Sequence, residues 1–98
     1  MHELTADELP AALEDSEVRV FVKLRYRKKY GSRRSAAEFL GEKRALQRMG
    51  CTYVPALRVW EVPAVVSLAA PLRRLLSLSS AVVYAAEVWE PVEVSWFE

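Results

Sequence analysis

The chain contains no isoleucine, no asparagine and a single glutamine, Gln47. It has one cysteine, Cys51, and one histidine, His2. A single cysteine excludes an intramolecular disulfide and a cysteine-based zinc cluster. A lone histidine at the start of the chain leaves a Ser-His-Asp or Cys-His mechanism without a firmly held base. Cys51 follows a predicted helix C-terminus, where the dipole opposes a thiolate, so it reads as a buried structural thiol. Glycine occurs only at positions 31, 41 and 50, and no phosphate-cradling loop motif is present. No residues stand at metal-ligand spacing, so neither a metal nor a cofactor is expected. The shortage of motifs argues against an enzyme. No uncharged run approaches the ~18 residues of a membrane span. The first residues are acidic where a signal peptide is basic, which points to a cytoplasmic, intracellular location.

Few amides, few glycines and ten arginines to four lysines give the chain a thermophile-like composition. A GC-rich genome produces the same bias, and neither origin bears on function. At 98 residues, with 52% apolar and 28% charged residues, the chain has material for one folded domain spanning 1–98.

The net charge of +1 conceals a strong internal asymmetry. Residues 1–17 carry six acids and no base, with 1–16 read as an acidic N-terminal segment. Residues 18–48 carry eleven bases against Glu38 and Glu42, and residues 49–98 carry three bases against five acids. An acidic start, a basic middle and a mildly acidic end is the most informative pattern in the sequence.

Thr5 and Glu8 form a capping box for a short first helix that Pro10 interrupts. From Glu17 to Tyr30 apolar and basic residues alternate, which predicts a strand with one apolar and one basic face. Tyr30, Gly31 and Ser32 supply a turn. Ser35 and Glu38 then cap a helix to about Met49, with Ala36, Phe39, Leu40, Leu46 and Met49 as its core-facing stripe and Gly50 as its C-terminal stop. Tyr53–Val62 reads as a second strand, apolar on both faces. Pro63 suits the first turn of a helical stretch over Ala64–Ser79, kinked at Pro71. Ala81–Glu90 reads as a strand, followed by a short last strand after Pro91. The expected fold is an α+β domain with a three- to four-stranded sheet and helices on one face. A ferredoxin-like arrangement is the nearest named fold, matched loosely because the element order departs from two strand-helix-strand units.

Residues 23–34 hold seven positive charges and two tyrosines. On a strand, Arg19, Lys23, Arg25 and Arg27 share a face with Phe21, while Lys28, Lys29, Arg33 and Arg34 gather at the turn. Arg44 and Arg48 extend the patch along the helix. A basic face with aromatics offers phosphate contacts and a stacking platform, Phe21 and Tyr30 being the stacking candidates. This predicts a nucleic-acid-binding accessory protein, with RNA favoured over DNA. The chain lacks the aromatic-glycine motif of the common RNA-recognition sheet and any helix-turn-helix, zinc-finger or basic-zipper pattern.

The competing expectation is a basic face neutralised by the protein's own acids, in a protein-interaction or assembly module. Its apolar C-terminal half, with Val92, Val94, Trp96 and Phe97 on the last strand, is then the interface of a homo-oligomer. Glu87, Glu90 and Glu93 alternate strand faces at their odd spacings and read as solvated edge charges.

Overall fold

A computed structural model describes residues 2–24, 36–78 and 81–92, with the side chains of 36–38 and 78 left aside. The first element is a strand, β1 (His2–Leu4), where the sequence suggested only an acidic leader. A 3-10 turn over Ala6–Glu8 leads into α1 (Leu9–Glu14). The Glu8 carboxylate accepts hydrogen bonds from the Thr5 backbone N–H and hydroxyl, both at 3.0 Å. The backbone bond above all holds the Glu8 carboxyl below its usual range. Pro10 falls at the start of α1 and does not break it, because the first helical turn has no N–H partner to lose.

β2 (Val18–Lys23) follows, shorter than the strand expected to reach Tyr30, whose last six residues lie outside the described residues. α2 (Ala36–Arg48) ends in a tight cap. Gly50 takes φ +83°, its N–H donates to the Gln47 carbonyl, and the Cys51 N–H donates to that of Leu46. These are the two bonds of a Schellman motif, and they turn the chain directly into the next strand. The inward stripe of α2 differs from expectation: Leu46 is fully buried and Glu42 is buried with it, whereas Leu40 is exposed.

The single strand expected over Tyr53–Val62 is a hairpin, β3 (Thr52–Val54) and β4 (Val59–Val62). Pro55 opens its turn. The N–H groups of Leu57 and Arg58 both donate to the Val54 carbonyl, at 3.2 and 2.9 Å. Arg58 adopts φ +57°, a conformation that costs a side-chain-bearing residue about 1–2 kcal/mol. The sequence offers no glycine, asparagine or aspartate there, which is why the turn was not foreseen. A 3-10 turn over Val66–Leu68 precedes α3 (Ala69–Leu78). Pro71 is the third residue of α3, so it sits in the first turn rather than at a kink. Pro63 lies between β4 and that turn and opens no helix. β5 (Val82–Glu87) is the last of the described strands.

Among the described residues these strands form one open antiparallel sheet in the order β1-β5-β2-β4-β3. The sheet has five strands rather than three or four. Two differences raise the count: Tyr53–Val62 forms two strands, and β1 pairs His2–Leu4 with Val83–Ala85, while the short strand expected after Pro91 runs outside the described residues. From β2 onward the elements run strand-helix-strand-strand-helix-strand. All three helices contribute to one core on one face of the sheet, as expected. Leu9 and Leu13 of α1, Leu46 of α2 and Leu72 of α3 pack there with Val20, Val22, Val62 and Val83. Each large aliphatic side chain so buried contributes about 1.5–3 kcal/mol. A second, smaller cluster lies on the opposite face: Phe21, Val59, Tyr84 and Ala86, with Leu57 and Val92 against them. No helix among the described residues is long and apolar enough to cross a membrane.

Candidate nucleic-acid interface

The alternation along β2 places Arg19, Phe21 and Lys23 on one face, as the period of two requires. That face is not an open platform. Phe21 is fully buried beneath Val59, Tyr84 and Ala86. The Arg19 guanidinium lies 5.0 Å from the centroid of its ring and donates to Glu61 Oε1 at 2.9 Å. Phe21 therefore cannot stack on a base, which corrects the sequence expectation, and Arg19 is answered by an acid of the neighbouring strand. Alternation within one strand reveals which side chains share a face but not what the next strands lay over them. Lys23 ends β2 half-buried. Arg25, Arg27, Lys28, Lys29, Tyr30, Arg33 and Arg34 lie outside the described residues.

Arg44 and Arg48 are exposed on α2, but they do not extend the β2 face. Arg48 lines a largely apolar groove of about 610 Å³ between α2 and α3, together with Met49, Pro71, Arg74 and Leu75. Of the residues expected at an oligomer interface, Val92 packs half-buried against the Phe21 cluster. Val94, Trp96 and Phe97 lie outside the described residues.

The structure instead assembles cations and aromatics in a second groove, of about 670 Å³, between α2 and the β3–β4 hairpin. Phe39, Lys43 and Gln47 line it from α2, at positions i, i+4 and i+8 of one helix face. Tyr53 and Trp60 line the other side, their rings tilted by 54° with centroids 5.1 Å apart. Trp60 is mostly buried and Tyr53 is 45% exposed. Arg58 lines the groove from the turn that forces its backbone into the left-handed region. The Lys43 ammonium lies 4.7 Å from the Phe39 ring centroid. Among the described residues neither Lys43 nor Arg58 has a carboxylate at ion-pair distance. Leu24, the last residue of the basic run that the structure describes, completes the lining. The groove thus opens beside the point where the chain passes into Arg25.

Lys43, Gln47, Tyr53 and Arg58 were not singled out by the sequence as site residues. The i, i+4 spacing of Lys43 and Gln47 was a usable signal for one wall. The hairpin wall was hidden by reading its two strands as one.

Burial pushes the Cys51 thiol up to about 11, the reverse of an activated nucleophile. His2 Nε2 lies 4.0 Å from a Glu8 carboxylate oxygen, and both side chains are largely exposed. Among the described residues no group of three or more His, Cys, Asp or Glu could hold a metal ion. No protein-family model, curated protein or solved structure matches this chain.

Proposed function

We propose that this protein binds single-stranded nucleic acid, RNA in preference to DNA, without catalysing a reaction. The supporting observation is the groove between α2 and the β3–β4 hairpin, where Lys43 and Arg58, neither with a carboxylate at ion-pair distance among the described residues, flank exposed aromatic surface beside Leu24 of the basic run. Cations hold phosphates and aromatics hold unstacked bases, and single strands present both. The run from Lys23 to Arg34 supplies the phosphate contacts in this reading, with Arg25, Arg27, Lys28, Lys29, Arg33 and Arg34 as the contacting residues and Tyr30 as a stacking residue. Residues 18–87 also support a ferredoxin-like reading of this part of the chain. Their element order is β-α-β-β-α-β, and their strands lie in the order β5-β2-β4-β3.

Fluorescence anisotropy with labelled single-stranded RNA, hairpin RNA and duplex DNA at ~50 and ~200 mM salt tests the proposal. Binding that weakens by orders of magnitude between those salts is expected, because each phosphate contact releases a counterion. Replacing Arg27, Lys28 and Lys29 together with Glu should abolish it. Binding untouched by that reversal would remove the basic run from the working surface.

A second reading, a protein-interaction or assembly module, is favoured by one observation. Trp89 is 78% exposed beside exposed Val88, in the turn that follows β5. Aromatic residues are enriched at protein interfaces relative to the rest of the surface. A concentration-independent monomer mass would remove homo-oligomerisation from this reading.

A further inference from the structure

We infer that the groove between α2 and the β3–β4 hairpin is the seat of one unstacked ribonucleotide. Its base lies on Tyr53, its phosphate is held by Arg58 and Lys43, and the Gln47 amide meets the base edge. The inference rests on the nucleic-acid reading and names the site at which that reading becomes local.

Four features of the groove converge on this occupant. Its volume of about 670 Å³ falls within the ~300–1,000 Å³ typical of small-ligand sites, so it takes a nucleotide and not a duplex. Its aromatic surface is partly open, because the exposed Tyr53 ring leans against the buried Trp60 and is held at a fixed tilt. Its charge is positive and, among the described residues, not paired with an acid. Gln47, the one side-chain amide of its kind in the chain, offers a donor and an acceptor on the same wall, the pairing that reads a base edge.

The backbone of Arg58 adds a fifth. The turn calls for a residue free to adopt φ +57°, which glycine does without strain. The chain carries arginine instead, and the guanidinium side chain lines the groove. The strained backbone is then the cost of presenting a cation at that corner, and strain of this kind gathers at ligand clamps.

The test uses a labelled single-stranded RNA of about ten nucleotides, within the ~4–16 that one single-strand-binding fold covers, so that one of its bases can enter the groove. The RNA carries 4-thiouridine, is crosslinked by light, and the crosslinks are mapped by mass spectrometry. Crosslinks to Tyr53 or Trp60 are expected. Tyr53→Ala should weaken binding by about ten-fold, the loss of one base stack. Arg58→Gly should weaken it too and make the salt dependence shallower by about 0.7 in log-log slope, one phosphate contact on a single strand. The same variant should melt no earlier than the parent, since it relaxes the turn, so its weaker binding cannot come from unfolding. Binding with crosslinks confined to residues 25–34, and with affinity unchanged in Arg58→Gly, overturns the inference and leaves the broader reading standing. No binding of the RNA at ~50 mM salt overturns both.

Discussion

Arg19 and Glu61 join neighbouring strands across the sheet by a 2.9 Å ion pair whose guanidinium lies over a buried ring. Phe21 stands directly opposite Glu61 in the β2–β4 register, and Arg19 is two residues back on the same face. The guanidinium therefore reaches diagonally, touching the carboxylate and the ring at once. A positive charge that appears free in the sequence is spent within the sheet.

Both members of that pair are about one-third exposed, so solvent weakens their attraction. A double-mutant cycle of Arg19→Ala and Glu61→Gln, followed by urea unfolding, should give a coupling of about 0.2–1 kcal/mol. Arg19→Ala should leave RNA affinity and its salt slope unchanged. A clear fall in that slope would return Arg19 to the binding surface.

Phe21 should behave as core and not as a stacking platform. Phe21→Ala is expected to cost about 3–5 kcal/mol of stability, a large share of the total for a domain of this size. RNA affinity of the fraction that remains folded should be unaltered. Urea unfolding and anisotropy measured on the same samples separate the two effects.

Gly50 should resist substitution for backbone reasons alone. A Cβ built there meets only Pro63 Cγ at 3.6 Å, an ordinary contact, so the left-handed φ carries the cost. Gly50→Ala should destabilise by about 1–2 kcal/mol. Gly41 is the control: it lies in α2 with nothing within 4 Å of an added Cβ, and Gly41→Ala should stabilise by about 0.5–1 kcal/mol. Thermal melts of the two variants should shift in opposite directions.

Cys51 should be chemically silent in the folded protein. Burial raises its pKa to about 11, above the ordinary thiol range. The neutral thiol is the form that the fold favours. Its contribution to stability is complete below the unfolded thiol's pKa of ~8.5 and is lost as pH rises from there toward 11. A thiol reagent at pH 8 should label the native protein far more slowly than the protein in denaturant. Equal rates would place Cys51 at the surface.

Patterns within single elements were legible in the sequence, and relations between elements were not. The alternation from Val18 to Lys23 identified β2 and its two faces correctly. It could not show that Val59 and Tyr84 would close over Phe21, because they arrive from strands tens of residues away. Gly50 announced the end of α2 through its position after the apolar stripe. The hairpin between Val54 and Val59 gave no such signal, since its left-handed residue is Arg58. Pro10 and Pro71 both looked like interruptions. Each stands in a first turn, where helix starts are set by the surrounding chain as much as by proline itself. Lys43 lies on α2, Tyr53 on β3 and Arg58 in the hairpin turn, and they line one groove only when α2 is laid along the hairpin.

The position of β5 has a consequence for how the chain is made. Residues 82–87 fill the gap between β1 and β2, two strands that emerge from the ribosome far earlier. Until β5 is synthesised, the half-finished sheet holds neither strand against the other, and both present unpaired backbone groups to the crowded cell. Long-range pairing of this kind is slow, and a waiting strand edge is an opportunity for another nascent chain. The vulnerable interval in this protein's life is therefore the one that ends when β5 joins the sheet, and slow codons before residue 82 would lengthen it.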